Sequence, residues 1–287
     1  MRFSTTNGML ALAIAGCLAA IPAASTRQTG QDARAPMIAG FAPIGDVQLY
    51  YEVHGAGEPI LFMHGGGGSI ASWPSEYVTD LARNFRVILA ESRGHGRSAD
   101  GAGPTTYGRL TFDAVRLLDH LGLDRAHIVG HSVGAIVGLH LLVDFPDRVR
   151  TATLLAGAYH VDNYQPDGYA AIRRELDALI RGEKLESRLA SRPVPVLKKF
   201  REAWLAGPRF SLPILETIDR PTLIVAAGQD PFFAPSVAEA MHAHIKASEL
   251  IVYPDATHRV QVTNVKELVP AIRDFIVRRG AREQNRP

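Results

Sequence analysis

Residues 130–134 read Gly130-His131-Ser132-Val133-Gly134, and this stretch decides how the chain is interpreted. The serine follows an apolar run at 126–129 that is typical of a buried strand, and it precedes a helical pattern at 133–145. A G-x-S-x-G sequence in that setting predicts a nucleophile elbow, a sharp strained turn that exposes the serine hydroxyl. The flanking glycines lack a Cβ, so strand and helix can approach closely. The alternative interpretation is an ordinary glycine-rich turn.

Strand-like runs alternate with helical patterns along most of the chain from residue 38. Residues 38–53 hold two short runs separated by Gly45-Asp46, a turn dipeptide that indicates a hairpin. Further strands are predicted at 60–63, 86–90, 126–129, 151–156, 221–227 and 249–253. Helices are predicted at 107–121, 133–145, 235–247 and 264–279. This alternation predicts an α/β protein with a parallel sheet that is covered by helices on both faces.

The interval 158–215 breaks the alternation, because it holds two helical stretches (168–182 and 193–206) and no strand-like run. It predicts a small helical cap inserted between two strands. The charged residues of the cap are expected to form an exposed helix face: Arg173, Arg174, Glu175, Arg181, Glu183 and Lys184. Its aromatic residues either line an apolar pocket or attach the cap to the core, and attachment is favoured: Tyr159, Tyr164, Tyr169, Phe200, Trp204 and Phe210.

The composition is that of a globular protein with a substantial core. The 287 residues are 46% hydrophobic and 21% charged, which suits one sizeable domain. The formal net charge of +2 gives no electrostatic reason to expect nucleic acid as a partner. Downstream of residue 25 no run of roughly 20 apolar residues predicts a transmembrane span. We expect the domain at 38–279 and a flexible tail at 280–287.

The N-terminus has the pattern of a secretory signal peptide, predicted at 1–24. Arg2 precedes an apolar run at 9–21, and small residues follow it. We therefore expect an exported protein, periplasmic or secreted, with a disordered tether at 25–37. Cys17, the only cysteine, ends a segment that resembles a bacterial lipobox, so a lipid anchor there and plain cleavage after Ala24 both stay open. The mature domain then has no cysteine pair to form a disulfide.

A serine hydroxyl is a weak nucleophile at neutral pH, so it needs a base within hydrogen-bond reach and a group that orients the base. His258 follows the last predicted strand, and it is the only histidine that does so. Asp230 directly follows the strand at 221–227. Because the carboxyl ends of parallel strands meet at one edge of a sheet, these side chains can converge on Ser132. The sequence predicts Ser132 as nucleophile, His258 as base and Asp230 as the orienting acid.

Two other aspartates compete for the role of orienting acid. Asp255 lies three residues before the histidine, where a turn is expected, and Asp162 lies somewhat late after the strand at 151–156. The chain order serine, aspartate, histidine favours Asp230.

Acyl transfer also requires two N–H groups that stabilise the oxyanion of the tetrahedral intermediate. One is predicted to be the backbone amide of Val133, which follows the nucleophile and opens a helix. The other is expected from the glycine-rich stretch 64–68, His64-Gly65-Gly66-Gly67-Gly68, with Gly66 preferred to Gly67. The alternative roles for this glycine-rich stretch are a flexible loop and a phosphate-binding loop. A P-loop requires Lys followed by Ser or Thr after the glycines, whereas this chain has Ser69-Ile70 there.

These motifs resemble the α/β-hydrolase family across nearly all of 38–279. The matching segments are His64-Gly65-Gly66, Arg93-Gly94-His95-Gly96-Arg97-Ser98, the elbow at 130–134, the acid loop Gly228-Gln229-Asp230, and His258. Glu91 stands where the family commonly has an aspartate, two residues before the arginine, and we interpret it as structural. His95 and His131 are likewise expected to have structural roles.

The resemblance implies an eight-stranded, mostly parallel sheet whose second strand is antiparallel, with no cofactor and no metal. The short cap is most similar to those of enol-lactonases and small carboxylesterases, which implies a small-molecule ester or lactone as substrate. A serine nucleophile argues against dehalogenases and epoxide hydrolases, which use an aspartate. Carbon–carbon bond hydrolysis and cofactor-free, haloperoxidase-like perhydrolysis stay open, as does, from another class, a ligand-binding protein with little turnover.

Overall fold

The computed structural model of the protein describes residues 38–185 and 192–284, with side chains described as far as Gly280. The predicted signal peptide with Cys17, the predicted tether and residues 285–287 lie outside the described residues. The strands are β1 (Ile38–Ile44), β2 (Val47–His54), β3 (Glu58–Met63), β4 (Phe85–Ala90), β5 (Ala126–His131), β6 (Val149–Leu155), β7 (Thr222–Gln229) and β8 (Ser248–Thr257).

The helices of the described segments are α1 (Ser75–Leu81), α2 (Tyr107–His120), α3 (Val133–Asp144), α4 (Pro166–Ile180), α5 (Val194–Ala206), α6 (Leu212–Leu215), α7 (Pro235–His244), α8 (Val260–Thr263) and α9 (Val265–Gln284). Across residues 38–185 and 192–284, no helix is both long and apolar enough to cross a membrane.

All eight strands form one sheet in the order β1-β2-β4-β3-β5-β6-β7-β8. Strand β2 runs antiparallel to both of its neighbours, and every other pair from β4 to β8 is parallel. The hairpin of β1 and β2 turns at Gly45, whose φ of 56° lies in the left-handed region that favours glycine. The expected eight-stranded sheet with an antiparallel second strand is confirmed.

The central strands are apolar on both faces because each face is covered. In β3, Ile60 and Phe62 belong to one buried cluster, whereas Leu61 and Met63 belong to another on the opposite face. Side chains alternate across a strand, so a continuous apolar run serves both clusters. Helices α2, α3 and α7 contribute to the cluster of Leu61, and α1 and α9 contribute to that of Phe62.

The helical cap lies between β6 and β7, as the sequence predicts. Helix α4 packs against α5, and small clusters of buried side chains join them, among them Ile172, Leu176 and Leu205. Both helices lie within about two residues of their predicted bounds.

Four helical elements differ from the sequence-based expectation. Helices α1, α6 and α8 were not expected, and α9 continues to Gln284 instead of ending at 279, so the predicted tail is helical for its first residues. A Cβ on Gly280 would come within 3.2 Å of the His127 ring. Gly280 therefore allows α9 to approach β5 closely, and it lies within the helix and does not end it.

Candidate active site

The turn between β5 and α3 holds Ser132 in a strained backbone conformation. Its φ of 53° and ψ of −114° lie in a region that residues with a side chain rarely adopt. A Cβ on Gly130 would overlap the backbone of Gly134, and a Cβ on Gly134 would overlap the carbonyl of Met63. Both glycines are therefore required if the helix is to start so close to the strand. The turn has the form that the sequence predicts for a nucleophile elbow.

The side chains of Ser132, His258 and Asp230 lie in hydrogen-bond contact with one another. The distance from His258 Nε2 to Ser132 Oγ is 2.9 Å, and that from His258 Nδ1 to Asp230 Oδ2 is 2.7 Å. A carboxylate can only accept a hydrogen bond, so Nδ1 of His258 carries the ring proton and donates a hydrogen bond to Asp230. In the neutral ring, Nε2 then has a free lone pair directed at the serine hydroxyl. The arrangement can accept the proton of Ser132 as its oxygen attacks.

Asp230 is fixed in a buried turn at the end of β7. Only 3% of the residue is exposed, and its Oδ1 accepts hydrogen bonds from the amides of Phe232 (2.8 Å) and Phe233 (3.2 Å). These bonds hold the carboxylate with its other oxygen towards His258. The two competing aspartates, Asp162 and Asp255, are both exposed, and the contact with the imidazole is made by Asp230.

His131 supports the backbone of His258. Its Nε2 donates a hydrogen bond of 2.7 Å to the carbonyl oxygen of His258. Burial, and after it the charge of His258, lowers the pKa of His131 to about 3. The ring is therefore neutral at ordinary pH and holds the loop that carries His258. This contact agrees with the structural role expected for His131.

Two further buried histidines hold the glycine-rich loop after β3. His95 Nδ1 donates to the carbonyl of Arg93 (2.9 Å), and its Nε2 accepts the amide proton of Gly67 (3.0 Å). His64 Nδ1 donates to the carbonyl of Gly65 (2.8 Å), and its Nε2 accepts from the amide of Ser92 (3.1 Å). Burial lowers the pKa of both rings, so each stays a neutral acceptor.

The amides of Gly66 and Val133 are the two candidates for binding an oxyanion. Both residues line the cavity beside Ser132, and within the described residues neither amide donates a hydrogen bond. The amide of Gly67, the second choice from the sequence, is already engaged by His95. A Cβ on Gly66 would overlap the ring of Trp204, so a glycine is needed at this position. The geometry therefore favours Gly66 over Gly67.

A cavity of about 220 Å³ opens above Ser132, between the ends of the strands and the cap. Its walls are mainly apolar and aromatic, with Ile172 and Trp204 from the cap and Phe232 and Phe233 from the loop after Asp230. A mainly apolar cavity next to the Ser132 hydroxyl suits the hydrophobic part of a small organic substrate.

The aromatic residues of the cap divide between the two roles considered for them. Tyr164 and Trp204 line the cavity. Phe200 instead stacks on His95 with ring centroids 4.0 Å apart, and Phe210 packs near His140. The favoured attachment role holds for Phe200 and Phe210. Tyr164 and Trp204 combine the two roles, since they pack against buried clusters and also line the cavity.

Sequence reasoning missed two charged residues and two aromatic residues of the cavity wall: Glu175, Arg201, Phe232 and Phe233. The expectation of an exposed helix face holds for the other five charged residues and only in part for Glu175, whose side chain is 36% exposed and also lines the cavity. A signal was available, since Glu175 stands three residues after Ile172 and directly before Leu176. That spacing puts it beside the apolar stripe of α4.

Within the segments 38–185 and 192–284, no group of three histidine, cysteine, aspartate or glutamate side chains is arranged to hold a metal ion.

Comparisons with known proteins agree with this architecture. A family model described as the α/β-hydrolase fold matches residues 58–178. Two curated relatives carry the name "Putative carbamate hydrolase RutD". The protein of Azorhizobium caulinodans is 40% identical over 43% of this chain and 46% of its own length. That of Caulobacter sp. (strain K31) is 28% identical over 79% of this chain and 95% of its own length. The chain thus spans about half the length of the first relative.

Solved structures match over most of the chain. A hydrolase from Pseudomonas aeruginosa PA01 has a TM-score of 0.73 at 25% identity, covering 83% of this chain and 98% of that chain. Est816, described as an N-acyl homoserine lactone degrading enzyme, has a TM-score of 0.68 at 26% identity, covering 82% of this chain and 99% of that chain. Together with the sheet and the elbow, these matches show that the chain has the α/β-hydrolase fold and that its relatives are hydrolases.

Proposed function

We propose that the protein is a serine hydrolase that cleaves small carboxylic esters or lactones through an acyl-enzyme intermediate. The observation that carries the proposal is the unbroken chain of contacts from Asp230 through His258 to Ser132, at 2.7 and 2.9 Å. This series of contacts ends at an apolar cavity next to two amides that donate no hydrogen bond within the described part of the protein and could bind an oxyanion. The related carbamate hydrolases and lactone-degrading enzyme, whose substrates also present an acyl carbonyl, add support.

In the first step, Ser132 Oγ attacks the carbonyl carbon while His258 Nε2 takes the hydroxyl proton. Asp230 holds the ring and stabilises the imidazolium that forms. The amides of Gly66 and Val133 donate to the oxyanion, and each such donor contributes on the order of 3 kcal/mol to the stability of the transition state. His258 then protonates the leaving alcohol, activates a water molecule against the acyl-enzyme, and returns the proton to Ser132 as the acid departs.

The replacement Ser132→Ala tests this proposal. It should lower turnover of a short p-nitrophenyl ester by at least about a thousandfold, because a triad without its nucleophile loses covalent catalysis. A fluorophosphonate probe should label the unaltered protein at Ser132 and leave the variant unlabelled. The control is Ser236→Ala, an exposed serine on α7, which should retain activity and labelling. Substantial esterase activity in Ser132→Ala would reject the proposal, and a protein that neither labels nor turns over would favour a ligand-binding role.

Carbamate hydrolysis is the second candidate, because of the names of the two curated relatives. The same hydroxyl, base and amides can attack a carbamate carbonyl. The wall of Ile172, Trp204, Phe232 and Phe233 favours a substrate with an apolar acyl group over a small polar one. Parallel assays of an alkyl carbamate and of esters with graded acyl length separate these candidates by their values of kcat/KM.

We also propose that the protein is exported, on the basis of the apolar run at 9–21 and the small residues after it. Mass spectrometry of the N-terminus of the mature protein tests this directly. A diacylglyceryl group on Cys17 identifies a lipoprotein, and a chain beginning after Ala24 identifies plain cleavage. A mature chain that still begins at Met1 or Arg2 overturns the proposal.

A further inference from the structure

A fully buried arginine lies in the wall of the cavity. Arg201, on α5, is 1% exposed; its Nε donates a hydrogen bond of 2.6 Å to Glu175 Oε2, and its Nη2 lies 2.5 Å from the same oxygen in an ion pair. Its guanidinium lies 4.6 Å from the centre of the Trp204 ring. Within the described part of the chain, its Nη1 has no hydrogen-bond partner.

An unpartnered guanidinium nitrogen is costly in this position. Nη1 carries two N–H donors, and buried donors are nearly always hydrogen-bonded, since an unsatisfied donor loses its hydrogen bonds to water without replacement. Two helices that needed to pack together only for stability would do so better through apolar side chains. The unused donor therefore indicates that Arg201 serves something that occupies the cavity.

The charge balance decides what kind of group that is. Glu175 lines the same cavity and already neutralises Arg201. A carboxylate in the substrate would place a second negative charge beside Glu175, among the apolar side chains of Ile172, Trp204 and Phe232. A neutral oxygen acceptor would satisfy Nη1 without adding charge.

We propose that Arg201 Nη1 binds a neutral carbonyl oxygen, of a ketone or an amide, in the part of the substrate remote from the scissile bond. Glu175 orients the guanidinium and cancels its charge. This inference rests on the proposed ester or lactone hydrolysis and names the substrate class within it: acyl compounds that are mostly apolar and carry one additional neutral carbonyl. Arg201 is then a specificity-determining residue.

The first test uses the unaltered protein and p-nitrophenyl esters of equal acyl length. These are the octanoate, a series of oxo-octanoates with the keto group moved along the chain, and the suberate mono-ester, which carries a carboxylate. At least one oxo-octanoate should exceed the octanoate in kcat/KM by about tenfold or more, since a hydrogen bond to a charged group supplies that much discrimination. The effect should lie mainly in KM. The suberate mono-ester should be the poorest of the three types.

The second test removes the donor. In Arg201→Met, the ratio of kcat/KM between the best oxo-octanoate and the octanoate should fall to about one. The matched control is Arg174→Met, an exposed arginine of α4, which should preserve the ratio. Because loss of a buried ion-pair partner can impair folding, fluorophosphonate labelling of Ser132 gives the active fraction of each variant.

The third test leaves Arg201 in place and removes the charge that neutralises it. In Glu175→Gln, the cavity gains net positive charge, so the suberate mono-ester should improve relative to the octanoate by about tenfold or more. An unaltered protein that prefers the carboxylate, or that shows no preference for any keto position, overturns the inference while ester hydrolysis stands. A protein that hydrolyses no ester and is not labelled at Ser132 overturns the proposed function instead.

Discussion

The carboxylate of Asp230 determines which nitrogen of His258 carries a proton. Its Oδ1 is occupied by the amides of Phe232 and Phe233, so only Oδ2 faces the ring. A carboxylate can only accept there, which leaves Nε2 unprotonated towards Ser132. A side chain of equal size that can donate at this position would reverse the tautomer.

The replacement Asp230→Asn should therefore lower kcat for ester hydrolysis by about ten thousandfold, with little change in fold. An amide nitrogen at this position donates to Nδ1, so the proton moves to Nε2 and His258 can no longer act as base. Steady-state kinetics with a short p-nitrophenyl ester gives the number. Asp255→Asn, at the exposed competing aspartate, should stay within about threefold of the unaltered protein. Equal losses in the two variants would contradict the assignment.

Gly134 sets how closely α3 can approach β3. A Cβ there would overlap the carbonyl of Met63, and backbone atoms cannot move aside as a side chain can. Gly134→Ala should lower the free energy of unfolding by about 1–3 kcal/mol and lower kcat as well, because the elbow shifts. Gly108→Ala, on α2, is the matched control, since its added Cβ meets nothing closer than 4.0 Å. Urea denaturation should show that variant to be unchanged or slightly more stable.

At the scale of elements, the sheet was predictable because its signals are local. A buried parallel strand gives a short apolar run in the sequence. The elbow gives two glycines at fixed spacing around a serine. Helix α1 gives no such signal: it has seven residues, and its formation depends on burying Tyr77 and Leu81 against the sheet. The catalytic candidates were likewise predictable, since strand order alone delivers Asp230 and His258 to one edge.

The remaining parts of the site depend on contacts between distant elements. Whether Gly66 or Gly67 offers a free amide depends on His95, which lies 28 residues away on the loop after β4. The role of Arg201 depends on how α5 packs against α4. Neither the spacing of glycines nor the composition of the cap contains that information, so the sequence left both questions open.

The contact between His95 and the Gly67 amide allows the positioning of the glycine-rich loop after β3 to be tested. His95→Phe keeps an aromatic ring for the stack with Phe200 but removes the acceptor of the Gly67 amide. The loop then holds an unsatisfied N–H, so we expect kcat to fall about tenfold with KM nearly unchanged. His95→Gln, which restores an acceptor oxygen, should recover part of the loss. Equal values of kcat for the Phe and Gln variants would show that the contact does not position the loop.

For the molecule as a whole, several buried neutral histidines connect stability to pH. Burial lowers the pKa of His64, lowers that of His95 well below its ordinary value, and lowers those of His127 and His131 to about 4 and about 3. In the unfolded chain a histidine has a pKa near 6.5. Below that pH the unfolded state binds protons that the folded state excludes, so stability is full above about pH 6.5 and falls as the pH decreases.

His127 allows this linkage to be measured away from the candidate catalytic residues. Its ring is fully buried on β5, where its Nδ1 accepts from Thr151 Oγ1 (2.9 Å) and its Nε2 donates to Glu58 (3.4 Å). Burial is the main cause of its lowered pKa, and the attraction of Glu58 offsets only part of it. Replacement by glutamine retains a donor towards Glu58 and removes the titrating group.

Between pH 7.5 and 5, His127 should cost the folded state about 2 kcal/mol, from a pKa near 6.5 in the unfolded chain and about 4 in the fold. His127→Gln should therefore flatten the pH dependence of the free energy of unfolding by that amount, measured by urea denaturation across this range. The packing change of the substitution appears equally at pH 7.5 and pH 5, so the difference between the two pH values isolates the titration. Parallel stability curves for variant and parent would mean that His127 is not held neutral by burial.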